Sequence, residues 1–192
     1  WCSMLLFLYT YFDKIKLYHY IIMLLLGIAC YLFTRSNTGI IIVMLTLIGT
    51  LAMQYINSLR NQKIIYGLGA VIVLFCIIFS LWGAYRGNGL GDSTTFMYKL
   101  DKILNGRYES CYKIEDARLI NWKLFGDFRN QEYFDAGFVR VFYWYGIIAG
   151  IAYTSMNLYL IYASWKNRDC MLLVMICVIS IYSLMEAHFI SV

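Results

Sequence analysis

The chain has 192 residues, 61% of them hydrophobic and 14% charged, with 16 Lys and Arg against 11 Asp and Glu and no proline. An ordinary soluble domain carries about 25% charged residues, and polar surface this sparse cannot cover so much apolar side chain in water. A soluble globular domain is therefore excluded, and lipid is the expected solvent.

The first apolar run, residues 1–12, begins with Trp1 and is too short to span, since about 20 helical residues are needed to cross roughly 30 Å of hydrocarbon. It reads as the cut end of a longer helix, and no charged segment or small-residue cleavage site precedes it as in a signal peptide. A charged turn at Asp13, Lys14 and Lys16 leads to a second run at 17–33 and a polar turn at 34–39. The third run is 40–56, broken by 57–63. The fourth, 64–85, is the cleanest, with no charged residue in it. Residues 86–136 form a long charged loop that holds half of the Lys and Arg and most of the Asp and Glu. The fifth run is 137–165, interrupted by Arg140 alone, and the sixth is 171–192, with Glu186 and His188 near its end. The expected fold is all-α: a polytopic membrane domain over residues 1–192 with about six helices, the first truncated, and one large extracytoplasmic loop at 86–136.

Basic residues in short loops orient such a protein. The turns after the first, third and fifth runs hold Lys14, Lys16, Arg60, Lys63, Lys166 and Arg168, whereas the opposite short turn holds Arg35. The first set is expected in the cytoplasm, and the long loop outside. Within that loop Phe96, Leu100, Ile103 and Leu104 recur at helical spacing, with Lys99, Asp101 and Lys102 between them. This predicts a short amphipathic helix on the outer membrane surface, with a second helical stretch at 108–119 and a turn at Phe125-Gly126-Asp127.

The six cysteines show no metal spacing, and five lie in or beside apolar runs, where Cys is usually a packing residue. Gly87, Gly89 and Gly91 lack the Lys-Ser/Thr of a phosphate loop and read as a flexible exit from the membrane. Gly146 and Gly150 form a small-xxx-small pair suited to close helix packing. Tyr143, Trp144 and Tyr145 fit an aromatic belt, and His19 reads as interfacial.

Ionisable groups at membrane depth are functional candidates by default. Glu186 lies about 24 Å beyond the start of the last helix, and a carboxylate cannot snorkel far. Asp135 and Arg140 bracket the start of the fifth run, Arg86 closes the fourth, and Arg107 lies in the loop. The bland readings are an interfacial anchor for Arg86, a snorkelling side chain for Arg140, a helix cap for Asp135 and an interfacial position for His188.

Three short segments carry a family resemblance: Leu104-Asn105-Gly106-Arg107, Trp122-Lys123-Leu124-Phe125-Gly126, and Asp135 followed by Tyr145-Gly146-Ile147-Ile148. In this order around a large loop they resemble the C-terminal half of the Wzy-type polysaccharide polymerases, relatives of the O-antigen ligases, and the capsule polymerases of Gram-positive bacteria in particular. The likeness runs over residues 100–188, and Glu186 matches a glutamate often found in the last span of that family. Ala136 departs from the Asn that usually follows the residue at position 135.

The resemblance implies an integral membrane glycosyltransferase that polymerises lipid-linked oligosaccharide repeat units on the outer face of the cytoplasmic membrane, for capsule, O-antigen or exopolysaccharide. It needs no metal or other cofactor. The implied partners are the polyprenyl-pyrophosphate-linked oligosaccharide, the lipid bilayer, and flippase and chain-length regulator proteins; no nucleic acid is expected. Arg107 and Arg140 are the implied pyrophosphate ligands, since the guanidinium fork matches phosphate oxygens. Asp135, Glu186 and His188 are the candidates for the base at the acceptor hydroxyl. A ligase shares this chemistry but typically has His where Asp135 stands. A transporter or flippase for the lipid-linked glycan predicts charges near midplane and broken helices instead.

Overall fold

The computed structural model describes residues 1–35, 37–56, 62–86, 96–103, 107–108, 122–126 and 136–185. Most of these are helical, with no strand among them: α1 Cys2–Tyr11 and a 3-10 turn Phe12–Lys14, α2 Leu17–Thr34, α3 Asn37–Tyr55, α4 Lys63–Arg86, α5 Phe96–Ile103, α6 Gly137–Tyr145, α7 Ile147–Asn167 and α8 Cys170–Met185, while residues 122–126 are irregular. Four segments are long and apolar enough to cross a membrane: Leu17–Thr34, Thr38–Tyr55, Lys63–Tyr85 and Ile147–Asn167. A fifth, Cys170–Leu184, is apolar but shorter. Chain contacts divide the molecule into two compact units.

The first unit comprises Trp1–Ile72 and Leu158–Tyr182. Leu5, Leu8, Phe12, Ile15 and Tyr20 pack with Val43, Leu47, Cys170 and Met171 in its core. A core inside a membrane must satisfy its polar groups internally, and α3 does so in two ways. Buried Thr46 and Thr50 donate to the carbonyls of Ile42 (2.7 Å) and Thr46 (2.8 Å), one turn back on their own helix. Gln54 accepts from the Tyr20 hydroxyl at 2.8 Å and donates to the Ile15 carbonyl at 2.7 Å, which closes the link between α1 and α2. His19, read as interfacial, accepts the Lys16 amide at Nδ1 (3.1 Å) and caps the first turn of α2. Cys76 and Cys170 are buried, as packing residues are, whereas Cys2 and Cys30 are exposed.

The turn from α7 to α8 depends on one carboxylate. Arg168 takes a left-handed conformation (φ 54°) that ends α7, and Asp169 Oδ1 accepts the Leu172 amide at 2.9 Å as the cap of α8. Its other oxygen, Oδ2, accepts the Tyr9 hydroxyl at 3.1 Å. Asp169→Ala is expected to cost about 1–2 kcal/mol, chiefly through the lost cap, and Asp169→Asn to recover most of it. The check is the melting temperature of the full chain in detergent; no change on Asp169→Ala would show that the turn holds without the carboxylate.

The second unit lies within Val73–Asn157 and the chain from Ser183 onward. Here the structure corrects the sequence reading, because the fifth apolar run is not one helix. It breaks at Gly146 (φ 91°, ψ 166°) into α6 and α7. α6 has nine residues, about 14 Å of helix, half the hydrocarbon thickness. It is buried nearly all round, with Phe138, Val139, Arg140, Val141, Phe142 and Trp144 enclosed, so α6 is a buried helix too short to cross a membrane by itself.

Candidate functional site

A break inside an apolar helix frees backbone groups that lipid cannot satisfy. An unbroken helix would send the Ile147 and Ile148 amides to residues 143 and 144. Instead they donate to the Lys123 (3.0 Å) and Leu124 (3.3 Å) carbonyls, and the Gly126 amide donates to the Tyr145 carbonyl at 3.1 Å. The segment 123–126 thus replaces the missing turn. Trp122 anchors its start by stacking on Phe142 of α6, with centroids 5.4 Å apart. Two glycines allow the crossing: a Cβ on Gly126 would run into the Trp144 carbonyl oxygen, and one on Gly146 would lie 2.5 Å from the Leu124 carbonyl oxygen. Gly150, expected to serve close helix packing, lies under the Phe142 ring, so the contact it permits is between α6 and α7.

Arg140 does not snorkel. It is 2% exposed, and its guanidinium carbon sits 3.4 Å from the centre of the Trp144 ring, one turn along α6. Transfer of an arginine to mid-membrane costs about 2.5–3.5 kcal/mol on insertion scales, and a desolvated cation over tryptophan returns about 2 kcal/mol or more. The stack therefore offsets much of the burial. Trp144, expected in an aromatic belt, is buried beneath that cation instead, and its Nε1 has no hydrogen-bond partner among the described residues.

Arg107 is half-buried, and its neighbour Tyr108 is one of the most enclosed side chains in the unit, at 1% exposed. The Tyr108 amide donates to Asp101 Oδ1 at 2.8 Å. Its hydroxyl lies 3.1 Å from Ser80 Oγ, and its ring stands edge-on to Phe79 with centroids 5.8 Å apart. Sequence periodicity assigned Asp101 to the solvent face of an amphipathic helix. In the structure Asp101 is 4% exposed and Phe96, on the same helix, is 70% exposed. The two sit on opposite sides of α5, so Phe96 faces outward and the carboxylate turns in toward the Tyr108 amide.

Of the residues singled out in the sequence, Arg107 and Arg140 both fall in this second unit. Asp135, Glu186 and His188 lie outside the described residues, as do the stretch 109–119 and most of the loop. The residue flanking Asp135, Ala136, is the N-cap of α6 and has no side-chain cap bond. Among the described residues no three His, Cys, Asp or Glu side chains are grouped to hold a metal. In the first unit α1, α2 and α3 line an apolar cleft of about 580 Å³ that includes His19, but none of the proposed site residues lines it.

Asp101, Tyr108, Ser80 and Gly83 were not found by sequence reasoning. The one signal for them was the pair of small residues Ser80 and Gly83, one turn apart among Phe79, Leu81 and Trp82, which is where a large side chain can approach a helix backbone. No family model matches the chain, and neither a curated protein nor a solved structure matches it.

Proposed function

We propose that the chain is part of a polytopic membrane glycosyltransferase that polymerises lipid-linked oligosaccharide repeat units on the outer face of the cytoplasmic membrane. The observation that carries this reading is the pairing of residues 123–126 with residues 145–148. Two of the three short segments on which the resemblance to the Wzy-type polymerases rests are one hydrogen-bonded element, although about twenty residues separate them. The third ends at Arg107, in the same compact unit.

In this reading the acceptor hydroxyl oxygen bonds to the anomeric carbon of the growing glycan. The bond from that carbon to the pyrophosphate oxygen breaks, and its electron pair leaves with the pyrophosphate. The hydroxyl proton passes to a base, for which Asp135, Glu186 and His188 are the candidates. Arg107 is half-buried, with Nη1 enclosed, and is less enclosed than Arg140, so it is the cation assigned to the departing pyrophosphate. Arg140 is enclosed, so its charge acts from within the protein, through the field at α6. The loop at 86–136 would cover the site and exclude water, which otherwise hydrolyses the donor.

A second reading has an observation in its favour. A broken helix carrying an enclosed cation is what a transporter of the lipid-linked glycan predicts, and α6 with α7 has that form. One experiment separates the two. The complete gene is expressed in a strain lacking its polymerase, and glycan length is measured. Long chains restored by the wild type, with single repeats alone from Glu186→Ala, are expected. Lipid-linked substrate stranded on the inner leaflet when the gene is deleted from its own host would favour the transporter, and long chains from Glu186→Ala would remove that residue from the site.

A further inference from the structure

An arginine in a large loop cannot act on a leaving group unless the loop is held in register, and side-chain position within about an ångström decides catalytic rate. The residue next to Arg107 supplies such a hold. Tyr108 is seated on α4 where Gly83 leaves room for it: a Cβ at Gly83 would come within 2.6 Å of the ring carbon Cδ1. The ring also packs edge-on to Phe79, and its hydroxyl lies 3.1 Å from Ser80 Oγ and 3.5 Å from the Leu184 carbonyl. The backbone is fixed as well, by the 2.8 Å bond from the Tyr108 amide to Asp101 Oδ1. Side chain and main chain of one residue are thus tied to three elements, α4, α5 and the end of α8. Buried tyrosines normally find a partner for the hydroxyl, but a large ring inserted from a loop over a glycine is the form of a latch.

We propose that Tyr108, seated on Gly83 and tied to Asp101, is a positioning residue that fixes Arg107 for its action on the departing pyrophosphate. This rests on the reading of Arg107 given above. Arg107 is next in the chain to this anchored residue and is half-buried, with Nη1 enclosed by protein, so the seat of Tyr108 sets where the guanidinium is placed. Asp101 acts through the amide and not through substrate. Its carboxylate oxygen is an acceptor that a carboxamide oxygen can replace.

The test uses the full-length protein in lipid, with amide hydrogen exchange at Tyr108 and steady-state polymerisation measured on the same preparations. In the wild type the Tyr108 amide should be protected. Gly83→Ala evicts the ring from the α4 side, and Tyr108→Ala removes it from the loop side. Both should lose protection and lower kcat by about 100-fold with KM little changed, since a misplaced transition-state contact acts on kcat. Asp101→Ala should follow them, and Asp101→Asn should restore both protection and rate. Gly83→Ala added to Arg107→Ala should be no worse than Arg107→Ala alone, because both act through one group. Rapid exchange at Tyr108 in the wild type overturns the latch. Normal kcat in Gly83→Ala and Tyr108→Ala beside an inactive Arg107→Ala overturns the positioning role and leaves the reading of Arg107 intact. Normal kcat in Arg107→Ala overturns that reading and the positioning role with it.

Discussion

Arg107→Ala is expected to abolish long glycan chains while single lipid-linked repeats persist, with a fall in turnover of about 100- to 1,000-fold, the loss typical of one preorganised donor to a developing charge. In the proposed reaction the bond that breaks leaves negative charge on a pyrophosphate, and an electrostatic contact is stronger in apolar surroundings than in water. A half-buried guanidinium meets that charge with paired donors in a fixed plane. Lysine offers a point charge without the fork, so Arg107→Lys should recover part of the rate. Arg107 is half-buried where Arg140 is 2% exposed, so Arg107→Ala should lower the melting temperature less than Arg140→Ala does. Arg140→Ala supplies the contrast. Its guanidinium is enclosed and stacked on Trp144, so its removal opens a cavity in α6 and should show first as lost stability. Glycan length, lipid-linked repeats and melting temperature, measured together, separate the two arginines. Arg107→Ala with normal chain length would remove the residue from the site.

Much of the architecture was legible in the sequence because hydropathy and span length are linked by the bilayer itself. The run expected at 17–33 is the helix Leu17–Thr34, and the run expected at 64–85 is the helix Lys63–Arg86. The break at Gly146 was not legible. An apolar window looks the same whether or not it is kinked, and the groups that satisfy the break come from Lys123, Leu124 and Gly126, remote in sequence. The burial of Arg140 had a visible sign: Trp144 stands four residues on, at the spacing where helical side chains meet, but an aromatic cluster at the end of an apolar run reads first as a membrane-surface belt. Asp101 shows the limit of periodicity. A carboxylate between lysines reads as solvated, and nothing local reveals that the amide of Tyr108 will need it. Polar residues that serve the backbone of a distant segment leave no pattern of their own.

The break also makes the largest stability prediction. Gly146→Ala is expected to destabilise the second unit by about 3 kcal/mol or more. Its φ of 91° with ψ of 166° is a region that side-chain-bearing residues occupy at a cost of about 1–3 kcal/mol. The new Cβ also meets the Leu124 carbonyl oxygen at 2.5 Å, so the segment 123–126 must withdraw. Withdrawal strands the Ile147 and Ile148 amides and the Tyr145 carbonyl, each net bond being worth about 0.5–1.5 kcal/mol and more when its partner is left buried and unpaired. Gly126→Ala strikes the same crossing from the other segment, where its Cβ meets the Trp144 carbonyl oxygen. The two changes remove one interaction, so the double variant should lose little more than either alone. Gly67→Ala is the matched control: nothing lies within 4 Å of its Cβ, and alanine in a helix interior gains about 0.5–1 kcal/mol over glycine. Thermal unfolding of the four proteins in lipid, followed by protease cleavage between α6 and α7, should rank Gly67→Ala highest and the three crossing variants together at the bottom. If Gly146→Ala instead melts like Gly67→Ala, α6 and α7 form the single continuous helix that hydropathy alone describes. Arg140 would then lie within a span rather than on a buried half-helix.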